Sequence, residues 1–281
     1  MSLLLVLALL GVSWERNPGA VDTRTIREAI PLEGLRSLTV DNINGAITVT
    51  ADGGNDIRMV VSERLEAADQ GWLERARQDL SLRIERRADR IVVCADGPFR
   101  EPDDCTEWLQ EMGRHQPRRM YRAVYEIELR VPRSIDLAVR TIEGDLSVTG
   151  VRGRLEVNGV QGDVVIEGAE GPAAKAGTVN GTVHVRFTGN PREDSTFSSI
   201  NGEIDVVFQP DLSADFSFET MNGEILSDFD YRILPAVAHR TESRKGGTTY
   251  RLEVDSAIRI GGGGPHHRFK SINGDITIRR N

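Results

Sequence analysis

The sequence predicts an all-β chain coiled as a β-solenoid (β-helix-like), with about twenty residues per coil and an inserted strand and short-helix segment. Three observations carry this. A ten-residue phrase recurs, aliphatic residues alternate around a fixed glycine within it, and aromatics make up only 5% of the chain, so the core rests on Val, Ile and Leu. The phrase is apolar-x-x-apolar-(Asn/Glu/Gln)-Gly-x-apolar-x-apolar. It reads "VDNINGAITV" from Val40, "VRTIEGDLSV" from Val139, "VNGVQGDVVI" from Val157 and "AGTVNGTVHV" from Ala176. It returns as "FSSINGEIDV" from Phe197, "FETMNGEILS" from Phe218 and "FKSINGDITI" from Phe269; in the Phe218 copy Ser227 replaces the last apolar residue.

The constant element is glycine: Gly45, Gly144, Gly162, Gly181, Gly202, Gly223 and Gly274. The central four intervals are 18, 19, 21 and 21 residues, while gaps of 99 and 51 residues hold other material. Asn-Gly between apolar runs usually marks a two-residue hairpin. Here a hairpin would set Ile200 opposite Glu203 and Ile272 opposite Asp275, a core residue against a charge. Glu143 and Gln161 also replace Asn, and neither suits a left-handed backbone. A corner needing positive φ at glycine alone, a type II turn or a glycine bulge, accommodates every copy. Coils stacked through such corners place equivalent residues about 4.8 Å apart. Ile43, Ile142, Val160, Val179, Ile200, Met221 and Ile272 are then expected as one interior column. Ile47, Leu146, Val164, Val183, Ile204, Ile225 and Ile276 form a second, and Phe197, Phe218 and Phe269 an aromatic ladder. The phrases at Val40 and Phe269, charged at their flanks, suit terminal rungs.

The remaining organisation follows from texture. Residues 1–13, with the apolar run Leu3–Leu10 and then small residues, read as a secretory signal peptide lacking its positive start, a buried strand being the alternative. Residues 14–35 read as a linker and 36–281 as the solenoid domain, with an insertion at about 51–133. Within it "DIRMVVSERL" and "LSLRIERRADRIVVCA" alternate like edge strands. Trp72, Leu73, Ala76 and Leu80 fall at helical spacing between them. Cys94 and Cys105 bracket a polar loop; in an oxidising compartment a disulfide is expected to close it, two free thiols being the alternative. No further segment has the length to span a membrane.

Charge and motif exclude some functions. Lys+Arg 35 against Asp+Glu 43 gives −8, opposite to the cationic footprint that nucleic acid requires. Acids follow five corner glycines (Asp145, Asp163, Glu203, Glu224, Asp275), a solvated edge rather than a metal site. "GGGGPHH" from Gly261 lacks the Lys-Ser/Thr of a phosphate loop. His266 and His267, adjacent on a strand, point to opposite faces. No nucleophile-base arrangement is present, so no catalytic residue, cofactor or metal is expected. The insertion carries "GRHQPRRMYR", and Trp108, Arg118, Arg119 and Tyr121 are the expected binding residues, since loops on rigid scaffolds tend to carry binding.

The rung seen in "VDNINGAITV", "FSSINGEIDV" and "FKSINGDITI", with "YEIELRVPRSIDLAVRTIEGDLSV" before the central array, resembles a family of bacterial exported domains of unknown function that carry an adhesin label. The likeness covers about residues 36–281; the charged insertion with its cysteines and the Ser227 rung depart from it. It implies a β-helix-like solenoid in the periplasm, on the cell surface or outside the cell, without known catalytic residues. The expected role is a non-enzymatic scaffold presenting a sheet surface to a protein or glycan of the envelope. A polysaccharide-active β-helix enzyme is the alternative, needing a cluster of acids, or of acids with Arg or Lys, aligned on one sheet face inside a groove.

Overall fold

A computed structural model describes residues 19–99, 105, 120–235, 237–242, 248–253 and 256–281, of which 237–242, 248–253 and 256 are described by their backbone alone. The signal-peptide residues 1–13 lie outside them. Among the described residues the chain is all-β apart from one helix, with two large mixed sheets and a separate two-stranded ribbon, Val237–Glu242 with Thr248–Glu253.

Each repeat phrase crosses from one sheet to the other through its glycine corner. The strand before the glycine joins sheet two, and the strand after it joins sheet one. Thus Ala174–Asn180, Ser195–Asn201 and His266–Asn273 are parallel neighbours in sheet two. Val183–Phe187, Ile204–Phe208 and Ile276–Arg280 are parallel neighbours in sheet one. Equivalent residues pair in register, Val183 with Ile204 and Ile204 with Ile276.

The corners explain the glycine. Gly45, Gly144, Gly162, Gly181, Gly202 and Gly274 hold φ between +113° and +151°, the region that disfavours a Cβ. Space is equally prohibitive. A Cβ on Gly162 would lie 2.3 Å from the Gly144 carbonyl oxygen, on Gly181 2.1 Å from that of Gly162, and on Gly202 2.0 Å from that of Gly181. Gly223 differs, with φ outside the positive region, yet a Cβ there would still lie 2.2 Å from the Gly274 oxygen. Three corner carbonyls also find a hydroxyl from the following rung: Thr141 donates to Gly45, Thr178 to Gly162 and Ser199 to Gly181, at 3.0–3.1 Å.

Those hydroxyls turn the first expected column outward. With Phe197 and Ser199 facing in, Ile200 must face out by strand alternation. Ile43, Ile142, Val160, Val179 and Ile272 are half-buried, Ile200 is 40% exposed and Met221 76%. The column is a stripe on the solvent side of sheet two. The second column does lie inside: Ile47, Leu146, Val164, Val183, Ile204 and Ile276 are buried, and only its last member, Ile225, is open.

Chain order and spatial order differ at the C-terminal end. Ile276–Arg280 lies between Ile204–Phe208 and Ile225–Ser227, and His266–Asn273 between Ser195–Asn201 and Ala214–Glu219. The final phrase is therefore penultimate, not terminal. The aromatic ladder follows the same order, Phe269 centring 4.9 Å from Phe197 and 5.5 Å from Phe218. The rung carrying Ser227, which lacks one apolar residue, takes the edge of sheet one.

The other end is built from the segment read as linker and insertion. Residues 20–31 of the expected linker form a strand, Ala20–Pro31, antiparallel to Asp56–Ala67, which pairs in turn with Tyr121–Pro132. Asp56–Ala67 is thus flanked on both sides. In sheet two Ile91–Asp96 pairs with Ser37–Asp41, and Ser81–Arg86 forms the edge. The insertion continues both sheets rather than packing on them, and the Val40 phrase is interior to the stack. The helix Gln70–Asp79 starts where the Asp69 carboxylate accepts the Trp72 N–H at 2.9 Å, and it buries Leu73 and Ala76.

Candidate functional site

The outer face of sheet two is striped, because parallel in-register strands copy each outward position into a row. One row is the aliphatic stripe from Ile43 to Met221, roughly 29 Å long at the usual strand spacing. Beside it runs Arg140, Asn158, Gly177, Ser198, Lys270 and Glu219, and beyond that Ala138, Glu156, Lys175, Thr196 and Arg268. On the corner side lies an amide ladder. Asn201 donates to Asn180, Asn273 to Asn201 and Asn222 to Asn273, at 2.8–2.9 Å.

Where the rows hold Gly177 and Ser198 the surface sinks. Two adjoining concavities of about 600 Å³ and 550 Å³ share Arg140, Glu156 and Lys175, forming one open trough. Val160, Val179, Ile200 and Ile272 wall one side; Arg90 and Arg154 join at the far end.

The acids of the trough are engaged. Asp136 accepts the Arg154 N–H at 2.8 Å and Asp194 the His266 N–H at 2.8 Å. Arg140 donates to Glu156 at 2.9 Å, and Lys175 Nζ is 3.6 Å from the same oxygen. Burial works against the Glu156 carboxylate, but the Arg140 bond and charge, with Lys175, hold its pKa below the usual range. Arg140 also reaches toward the fully buried Asp41 at 3.8 Å. These carboxylates fix strands and side chains in place.

Three of the five corner acids are similarly structural. Asp145 accepts the Asp163 N–H, Asp163 the Thr182 N–H and Asp275 the Glu224 N–H, at 2.7–2.9 Å. Among the described residues no group of three or more His, Cys, Asp or Glu is placed to hold a metal.

Of the expected binding residues, Trp108, Arg118 and Arg119 lie outside the described residues. Tyr121 opens the strand Tyr121–Pro132, donates its hydroxyl to Asp79 and centres 5.9 Å from the Trp72 ring. It lines a separate pocket of about 380 Å³ with Ile43, Leu80, Phe99 and Tyr125. Cys94 and Cys105 are joined by a disulfide with Cα atoms 5.9 Å apart, and both are buried against Val92 on the outer side of sheet two. The trough residues went unnoticed in the sequence. Parity was the available signal: each outward position sits two residues from its neighbour in the phrase.

No helix among the described residues is long and apolar enough to cross a membrane. No family model and no curated protein matches the chain. Solved structures with a distant likeness include these three. A candidate cell adhesion protein from Clostridium sporogenes is 10% identical with a TM-score of 0.42, over 92% of this chain and 100% of that one. A candidate adhesin from Bacteroides fragilis is 12% identical with a TM-score of 0.39, over 92% and 97%. A candidate lipid-binding protein from Parabacteroides distasonis is 11% identical with a TM-score of 0.30, over 94% and 97%. Likenesses at these scores decide nothing about what this chain binds.

Proposed function

We propose that the chain is a non-enzymatic, exported binding scaffold: a β-solenoid that holds the striped face of sheet two toward a protein or glycan of the cell envelope. The observation that carries this reading is the trough. A rigid parallel array puts aliphatic, amide and basic rows side by side over several rungs, a pattern suited to an extended partner. A polysaccharide-active enzyme of the hydrolase kind needs paired carboxylates free to exchange protons. Here Asp136, Glu156 and Asp194 are each committed to a backbone N–H or a guanidinium.

Glycan-array and envelope-fraction binding test the reading. Wild type is compared with Ser198→Arg, which fills the trough floor, and with Lys175→Glu, which reverses a wall charge. A third form has residues 106–118 exchanged for a flexible linker. The trough reading expects both trough variants to weaken binding by about tenfold or more, roughly 1.4 kcal/mol, with the linker form unaffected. Binding that survives both trough variants and vanishes with the linker would assign the surface to the insertion instead.

A further inference from the structure

The last rung has an open side. Met221 is 76% exposed, Leu226 48%, Tyr231 53% and Ile233 80%, and Ile225 is 37% exposed although its column mates are buried. Among the described residues the other large apolar side chains that reach solvent are Val21, Val60, Trp72, Ile84, Met120 and Ile200, spread along the chain. Ile225–Ser227 ends sheet one. The Ile276 N–H donates to the Glu224 carbonyl and the Asp228 N–H to that of Ile278, both at 2.9 Å. Strand alternation then aims the N–H and C=O groups of Ile225 and Ser227 away from the sheet.

The opposite edges are blunted. Ala20–Pro31 carries Asp22, Arg24, Arg27 and Glu28 and ends in proline, and Arg24 pairs with Glu63 and Asp22 with Arg77. Ser81–Arg86 carries Arg83, Glu85 and Arg86, with Arg83 on Glu85 and Arg86 on Glu33. Shortness, charge and proline are the usual protections of a free strand; Ile225–Ser227 is short, at three residues, but carries neither charge nor proline within it.

We propose that this edge takes an additional β-strand from a partner polypeptide, aliphatic and basic in composition. Backbone pairing supplies attachment, and side chains set the choice. Exposed Glu224, Asp228 and Asp230 flank the edge, which favours a basic strand. A second copy fits poorly. Two-fold pairing centred on Leu226 would set Glu224 of each copy opposite Asp228 of the other, and like charges directly opposite destabilise a sheet. The edge lies at the end of the stack, apart from the trough, so this inference and the scaffold reading fail independently.

The test is fluorescence anisotropy with three short labelled peptides. One alternates isoleucine or valine with threonine and lysine, one has glutamate for lysine, and one has a central proline. The first should bind the full chain saturably, at least about tenfold more tightly than the other two. Ile225→Pro, which removes an outward N–H and leaves the inward bonds, should abolish binding with the thermal unfolding midpoint nearly unchanged. Glu224→Lys with Asp228→Lys should transfer the preference to the acidic peptide. No binding at about 1 mM, equal binding of all three peptides, or binding indifferent to Ile225→Pro overturns the proposal. So does a concentration-dependent doubling of mass that Ile225→Pro removes, since that assigns the edge to a second copy.

Discussion

Two rungs with nearly the same wording behave differently. "FSSINGEIDV" and "FETMNGEILS" share Phe, Asn-Gly-Glu and Ile at matching places, yet Ile204 is fully buried and Ile225 is 37% exposed. Gly202 holds a φ of +148°, whereas Gly223 leaves the positive region. The difference is neighbours. Ile204–Phe208 pairs on both sides, with Val183–Phe187 and Ile276–Arg280; Ile225–Ser227 pairs on one. In a stacked array a residue is core only when a rung lies on each side, so identical words carry different energies.

Substituting the corner glycines should break this comparison most forcefully. Gly181→Val combines a φ of +151° with a Cβ 2.1 Å from a carbonyl oxygen. It should cost about 3–5 kcal/mol or prevent folding, read as a shift in the urea midpoint. Gly223→Val should cost clearly less, because the last rung can move outward. Equal losses would mean that the stack is uniformly rigid. The next effect is cavity formation: Ile204→Ala should lose about 2–5 kcal/mol, and Ile225→Ala less than half of that by the same measurement.

His267 sharpens the comparison through pH. Its ring is fully buried between Phe208 and Phe216, with ring centres 5.6 and 5.3 Å away. Burial pushes its pKa down to about 4. The folded form therefore resists a proton that the unfolded chain accepts below about 6.5. Stability is fully present above that pH and is lost as pH falls toward 4, by at most about 3 kcal/mol. His267→Phe should flatten this slope between pH 6.5 and 5, above the range in which Asp215 and Glu156, held low by arginine, begin to protonate. An unchanged slope in thermal melts across that window would remove the buried neutral imidazole from the account. The smallest effect is Thr178→Ala, which strips the hydroxyl from the Gly162 carbonyl and should cost about 1 kcal/mol.

Much of this was legible in the sequence, and what was not has physical reasons. The corner glycines announce themselves because no other residue fits their space or, at six of the seven, their φ. The Ile47 column is legible because its members alternate cleanly after the glycine. The Ile43 row misleads: aliphatic residues before Asn-Gly look like core, but Thr178 and Ser199 occupy the inward position to satisfy the corner carbonyls. Residues 20–31 read as linker because "VDTRTIREAI" is dressed with the charges that protect an edge strand. Rung order was not legible, since nothing local in "FKSINGDITI" says that it slides between two earlier rungs. The trough was missed for a related reason. Arg140, Lys175, Gly177 and Ser198 are ordinary residues singly, and only lateral pairing makes them a surface.

Lateral order is therefore the claim to test, and engineered disulfides test it directly. Thr196 and Arg268 face outward on neighbouring strands, whereas Ser217 lies one strand further along the same row. Cysteine pairs at adjacent positions, about 5 Å apart, can bridge, and pairs two strands apart, roughly 10 Å, cannot. Peptide mapping by mass spectrometry after mild oxidation should show Thr196→Cys with Arg268→Cys cross-linked and Thr196→Cys with Ser217→Cys unlinked. The reverse pattern would place the rungs in chain order and contradict the architecture on which the trough and the open edge both depend.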